Sequence, residues 1–366
     1  MSTHPKRTGG TGRAAATYAV VVPTLGRPSL RVTLHALAGA AGPKPDRLIL
    51  VDDRPGPHGR TPLEDHVPPS LSSVTTVVGG RAMGPAAARN TGWRAAGDVP
   101  WIVFLDDDVV PGPAWGDELA ADLRAARPRD AAVTARIDVP LPEDRRPTDW
   151  ERNTAGLATA RWITADMAYR REALEAVGGF DERFRRAFRE DADLALRVLA
   201  AGWRVAAGTR STAHPVRPAD RWISLRLQAG NADDVLMTRL HGPDWWTRAA
   251  APRGRLPRHL AVTAAAAGTL ACTVLRRRRA ATACAALWLA GTTEFALARI
   301  LPGPRNRDEV ATMAWTSVFI PPAAVWHWLR GQLAHREAQP LQVRGAGPGR
   351  TPGPPVRRAP EERVRR

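Results

Sequence analysis

At 366 residues the chain can bury a full core, as one large domain with additions or as two modest ones. Its net charge of +17 comes almost wholly from arginine, since lysine occurs only at Lys6 and Lys44, and such a balance favours phosphate-bearing partners or an anionic membrane surface. Nucleic acid is disfavoured as a partner: the sequence has no zinc-finger spacing, no clear RNA-recognition motif and no interleaving of aromatic and basic residues before its C-terminal third. Cys272 and Cys284 both lie in apolar stretches, which fits a reducing compartment better than a disulfide framework.

In chain order, residues 1–16 are polar, glycine-rich and basic, without the apolar core of a signal peptide, and read as a disordered tail. From Tyr18 the pattern is strand, helix, strand: YAVVVPTL, an Ala/Leu-rich stretch from Ser29 to Ala40, then RLILVDDR. VTTVVG (Val74 to Gly79) is a third strand, PAAARNTGWRAAG a helix closed by Gly97, and WIVFL (Trp101 to Leu105) a fourth strand. Short, nearly continuous apolar runs are strands buried on both faces, and their alternation with helices predicts a parallel α/β sheet whose ligands gather at the carboxyl ends of the strands. A P-loop is excluded because no GxxxxGK[ST] occurs, and GGRAMG (Gly79 to Gly84) is neither GxGxxG nor placed after the first strand.

Acidic residues sit instead at strand ends, in VDD (Asp52, Asp53) and LDDD (Asp106 to Asp108). Three adjacent carboxylates raise one another's cost of ionisation, so the cluster calls for a cation or a proton to relieve it.

Taken in order, VVPTLGR, VDD, GPAAARNTGW, FLDDDVVP, ADMAYRREALEAVGGFDERF and REDADLALR resemble a family 2 glycosyltransferase with a GT-A fold, over roughly Tyr18 to Pro215. The resemblance implies an inverting, metal-dependent transfer of a sugar from a nucleotide-sugar to a hydroxyl acceptor. It makes Asp106 and Asp108 the metal-binding pair, Asp106 touching either the ribose or the metal's shell, and places Asp107 with Asp106 among the nucleotide-sugar contacts. Hard oxygen ligands suit Mg²⁺ or Mn²⁺. His214 would complete the coordination, or is an ordinary loop histidine.

Asp52 and Asp53 would then accept hydrogen bonds from base or ribose, with Pro23, Thr24 and Arg27 shaping the first loop. Arg89 suits phosphate or base contact through its planar fork, the alternative being a surface helix arginine. Asp166 is placed near the donor sugar or acceptor. Asp191 would act as catalytic base with Glu190 as its neighbour, and both carboxylates also suit the N-terminus of the helix ADLALRVLAAG. Phe180 and Asp181 fit structure as readily as substrate contact.

The predicted organisation is a GT-A domain over residues 17–220, a helical acceptor-side extension over 221–255, apolar membrane-associated helices over 256–330 and a basic Pro/Arg-rich disordered tail over 331–366. RWISLRLQAGN (Arg221 to Asn231) departs from the Q-x-x-R-W pattern of processive synthases. Of three apolar stretches, Leu260 to Leu275 is short for a ~30 Å hydrocarbon layer, whereas Ala280 to Leu301 and Val310 to Leu329 reach the ~20 residues required. If that pair spans, the Arg276 to Arg279 run and the basic tail share the cytoplasmic face; interfacial helices are the alternative. Glu294 and Pro321-Pro322 count against spanning. The partners implied are an NDP-sugar and a glycan, lipid-linked or small-molecule acceptor, in cell-envelope or exopolysaccharide assembly. The competing functions are a nucleotidyltransferase that makes NDP-sugars and an inactive membrane-bound scaffold.

Overall fold

Every strand read from the sequence is present in the computed structural model, which describes residues 17–56 and 61–341. The expected tails, residues 1–16 and the greater part of 331–366, lie outside the described residues. Eight strands, β1 (Tyr18–Thr24), β2 (Arg47–Asp52), β3 (Thr75–Gly79), β4 (Trp101–Leu105), β5 (Val110–Pro111), β6 (Asp130–Asp138), β7 (Asp166–Arg170) and β8 (Arg204–Ala213), form one sheet in the order β3-β2-β1-β4-β7-β6-β8-β5.

The first four strands pair in parallel, Val20 facing Leu48 on one side and Val103 on the other. The sheet is mixed, because β7 lies antiparallel between β4 and β6, and β5 antiparallel beside β8. The period-two alternation of a strand then sorts side chains into two cores. Tyr18, Val20 and Val22 pack under the helices Ser29–Gly39 and Trp115–Ala125, while Ala19, Val21 and Phe104 pack under Pro85–Ala95, Arg171–Val177 and Glu190–Ala200.

This arrangement brings the ends of β1, β2 and β4 to one edge, and the carboxylates with them. A pairing of only two residues adds the last component. Val110 faces Ala213 and Pro111 faces Thr212, so the segment after Asp108 is bound to the segment before His214.

The extension over 221–255 contains the helix Gly230–His241, which docks on the helix Glu190–Ala200 through a third core of Leu236, Met237 and Trp245 with Leu196 and Trp162. Three long helices follow, Leu256–Val274, Arg278–Ile300 and Arg307–Ala334.

The expected membrane-spanning pair is corrected. Among the described residues one helix, Arg278–Ile300, is long and apolar enough to cross a bilayer. The stretch Val310 to Leu329 instead packs on the extension helix Gly230–His241 and on the other two long helices, and is tied to the catalytic domain at both ends. Near its start Glu309 accepts a 2.8 Å hydrogen bond from the Asp149 amide, and just beyond its end the Gln339 carbonyl accepts one from Arg183 at 3.0 Å. Between them Met313, Ile320 and Ala324 are buried. A side chain at Gly331 would meet the Cα of Ala232 at 2.8 Å, so glycine permits the close approach of this helix to Gly230–His241.

The end of the helix Arg278–Ile300 is also anchored to the catalytic domain. Arg299, buried, donates to Thr316 Oγ1, Ser317 Oγ and Asp149 Oδ2 at 2.8, 3.1 and 2.9 Å. Arg276 to Arg279 therefore stand at the opposite tip of a helical hairpin, about 28 Å of helix away. Leu270, Val274, Leu275, Leu287 and Leu289 along that hairpin are each 60–81% exposed.

Candidate active site

The strand ends open into a cavity of about 1210 Å³ that runs from the first loop to the base of the helical hairpin. Of the residues singled out in the sequence, Pro23, Thr24, Arg27, Asp53, Arg89, Asp106, Asp107, Asp108, Glu190, Asp191 and His214 line it. Asp52 and Asp166 do not.

At its centre is Arg89, only 2% exposed, which the buried face of the helix Pro85–Ala95 directs toward the sheet edge. One guanidinium nitrogen donates to Asp106 Oδ1 at 2.7 Å and the other to Glu190 Oε1 at 2.9 Å. Its planar fork thus joins the end of β4 to the start of the helix Glu190–Ala200, and Phe180 packs 5.5 Å from the cation. Among the described residues Arg89 Nε and Glu190 Oε2 are buried without a hydrogen-bond partner. A surface-arginine reading of Arg89 is excluded.

Asp106, Asp108 and His214 present ligand atoms all within 4.8 Å of one another. Two hard carboxylate oxygens and an imidazole nitrogen are a fitting donor set for Mn²⁺, and an acceptable one for Mg²⁺. Burial, then the neighbouring Asp106 charge, raise Asp108 above the usual carboxylate range, against the lowering effect of His214 and Arg217. Arg217, which the sequence reading missed, donates from Nε to Asp108 Oδ2 at 2.9 Å. It follows His214 by three residues in AHPVR, and this proximity was the available signal.

Asp107 has a different occupation from its neighbours. Buried, it accepts hydrogen bonds from Thr24 Oγ1 at 2.7 Å and Arg27 at 3.1 Å, so it fixes the first loop. Asp53 similarly accepts from the amides of Met83 and Gly84 at 3.3 and 2.9 Å. Gly84 has φ +91°, and a Cβ there would lie 2.2 Å from the Arg185 carbonyl oxygen, so the turn that receives Asp53 requires glycine.

Two expectations are corrected. Asp52 is engaged by Arg54, through Nε at 2.8 Å and a terminal nitrogen at 2.7 Å, and lies outside the cavity. Asp166, wholly buried, accepts from Trp115 Nε1 at 2.7 Å, Arg210 Nε at 2.9 Å and Thr212 Oγ1 at 2.6 Å. It starts β7 at the correct edge, opposite Leu105, but its side chain turns into the core.

Glu190 and Asp191 open the helix Glu190–Ala200. Arg189, in a left-handed conformation at φ +75°, precedes them, held by Asp234 at 2.8 Å and by the rings of Phe188 and Trp245 at 4.3 and 5.0 Å. Burial, reinforced by the Asp191 charge, lifts Glu190 to about 8 despite Arg89, and burial also raises Asp191. One Asp191 oxygen accepts from the Ala192 amide at 2.7 Å. The pair therefore combines helix-end placement with access to the cavity, and the two readings from sequence are compatible.

A mostly parallel sheet with a strand-end carboxylate cluster facing a buried acid pair defines a GT-A type glycosyltransferase domain. Residues 19–190 match the family described as "Glycosyl transferase family 2", and the chain carries a domain of that family. It is 31% identical over 218 residues to the pre-mycofactocin glycosyltransferase of Mycobacterium tuberculosis, covering 55% of this chain and 43% of that protein. With the O-antigen biosynthesis protein RfbC of Myxococcus xanthus it shares 29% identity over 253 residues, 58% of this chain and 19% of that one. The chain thus spans less than half the length of either relative. In fold it is similar to the mannosyltransferase PcManGT from Pyrobaculum calidifontis, whose structure is in complex with GDP-Man and Mn²⁺: TM-score 0.50, 18% identity and 87% of each chain covered.

Because Asp166 closes a buried network with Arg210, its removal tests position against sugar contact. Asp166→Ala should cost about 3–5 kcal/mol, as for other broken buried ion pairs. Thermal unfolding should show a large fall in Tm, while the folded fraction keeps its nucleotide affinity.

Proposed function

We propose that the domain transfers one sugar from an NDP-sugar to a hydroxyl acceptor by a single displacement with inversion. The observation that carries this reading is the Arg89 bridge, which holds the cation-seeking carboxylates and the acid pair on one cavity. Asp106, Asp108 and His214 would hold the divalent ion. When bound, such an ion supplies positive charge to the departing diphosphate.

The first loop, fixed by Asp107, and the turn fixed by Asp53 line the donor end, where Asp53 acts through the turn it holds. Arg89 and Arg217 add positive charge beside the phosphates. The acceptor oxygen attacks the anomeric carbon as its bond to the phosphate oxygen breaks, and Asp191 accepts the hydroxyl proton. Glu190, protonated below about pH 8, has its second oxygen available to donate a hydrogen bond. The family match counts against the nucleotidyltransferase reading, and the intact Asp106, Asp108 and Asp191 count against an inactive scaffold. The O-antigen relative supports a role in cell-envelope or exopolysaccharide assembly.

We place the protein on the cytoplasmic face of the membrane, with the hairpin lying in the interface. Spanning by the helix Arg278–Ile300 would carry Arg276 to Arg279 to the side opposite the catalytic domain, against the positive-inside preference. Lying flat, the same arginines meet anionic headgroups while the exposed leucines enter the acyl boundary.

Calorimetry with UDP, GDP and TDP should find at least one nucleotide whose affinity collapses on adding EDTA or in Asp108→Ala; equal binding with and without Mn²⁺ would remove the metal assignment. Asp191→Asn should lower kcat by about 10²-fold or more with nucleotide affinity retained. In the unaltered enzyme kcat/KM should rise with pH as Asp191, raised by burial, loses its proton, since the base works ionised. On the membrane side, full-length protein should co-sediment with phosphatidylglycerol-containing vesicles. Serine at Arg276 to Arg279 should weaken that partition by about tenfold or more, in a salt-dependent manner; unchanged sedimentation would exclude the interfacial hairpin.

A further inference from the structure

The chemistry proposed above occupies only one end of the cavity. At about 1210 Å³ it exceeds the ~300–1,000 Å³ typical of a single small-molecule site, so donor and acceptor fit together. The two ends differ in kind. Charge dominates from Asp53 to Asp108, whereas beyond Asp191 four large apolar side chains, Trp162, Leu157, Leu256 and Phe295, stand among the polar lining of Arg161, Arg255, Gln228 and Asn231.

Those walls are rigid. Trp162 is 6% exposed and belongs to the core formed with Trp245 and Leu236, with Arg161 stacked 5.0 Å from its ring. Phe295 is enclosed by Arg255 at 5.5 Å, Arg299 at 5.4 Å and the edge of His259 at 4.8 Å. Arg255 is itself fixed by a bidentate contact with Glu294, at 3.1 and 3.0 Å. Burial and the Arg255 charge lower His259 to about 4, so it lines the cavity as a neutral imidazole.

We infer that this distal half binds the acceptor and selects one whose hydroxyl-bearing head is joined to an apolar body. The reasoning rests on the glycosyl-transfer reading for the hydroxyl's position and on the walls for the rest. A molecule that places its hydroxyl at Asp191 must extend its remainder along the same cavity. Aromatic and aliphatic walls stabilise that remainder through buried apolar area, which a bare sugar does not supply. Leu256, His259 and Phe295 also belong to the helical hairpin, so the apolar end opens at the base of the element proposed to lie on the bilayer. The apolar body can be an aromatic group or an alkyl chain, and the probes separate the two.

The test is equilibrium binding of methyl, phenyl and n-octyl β-D-glucoside, the last below its micelle concentration, to full-length protein without nucleotide or metal. Phenyl or octyl glucoside should bind at least tenfold more tightly than methyl glucoside. Phenyl leading octyl indicates a compact aromatic acceptor, and octyl leading phenyl a lipid-borne one. Phe295→Ser should remove the gain, and so should Leu256→Ser, a change in the first turn of an exposed helix that leaves the fold intact. Asp108→Ala should retain it. Equal affinity for all three glucosides, or a gain that survives in both serine variants, would overturn the inference. Because nucleotide is absent, failure here is distinguishable from failure of metal-dependent donor binding.

Discussion

A single buried guanidinium, that of Arg89, determines how the two halves of the site stand to one another. Asp106 belongs to the end of β4 and Glu190 to a helix 84 positions later, and no backbone hydrogen bond joins them. Glu190 buried alone would be costly, and so would the arginine; with the partly exposed Asp106 they offset one another through two charge-assisted hydrogen bonds of 2.7 and 2.9 Å. The arrangement still has an excess of negative charge around Asp108 and Asp191, and both are raised in consequence of burial. The metal at one end and the transferable proton at the other, as proposed, are two relieving charges for one overcrowded group of acids.

Around that bridge, carboxylates of the same type carry out different tasks. Asp53 and Asp107 are spent on backbone amides and on Thr24 and Arg27, so they shape loops. Asp166 is saturated within the core, and Asp193, on the buried face of the helix that also carries Asp191, is held by Arg197 and His241. What separates a structural acid from a candidate reactive one here is the number of oxygens left over. Glu190 and Asp191 keep capacity for a ligand, whereas Asp166 has none.

The sequence made the first half of the sheet legible because WIVFL, RLILVD and YAVVVPT are continuous apolar runs, and a strand buried on both faces needs that composition. It could not disclose β5, which has two residues, nor its pairing with β8 about a hundred residues away, and so His214 was placed by resemblance alone. Asp166 was misread for a related reason. Its strand and edge were correct, but the direction of its side chain depends on Trp115, Arg210 and Thr212, none adjacent to it in the chain. In the C-terminal third, hydropathy gave three apolar helices correctly but could not tell which apolar face meets protein. Val310 to Leu329 meets the extension helix Gly230–His241 and the hairpin, and its buried Met313 and Ile320 are indistinguishable by composition from lipid-facing residues.

The two-residue pairing of β5 with β8 couples coordination to local cohesion. Edge strands of this length open at low free energy, because few ladder bonds hold them. Any ion gripped by Asp108 and His214 bridges the two segments that the ladder joins, and so acts as a clasp on the sheet margin. Conversely, each opening of that margin would separate the proposed donors, so the residence time of an ion held there would be limited by fraying of the sheet as well as by ligand strength. The margin and such an ion would form one thermodynamic unit: a substitution at Val110 or Thr212, neither of which offers a ligand atom, would be felt first as a change in how long the cation stays.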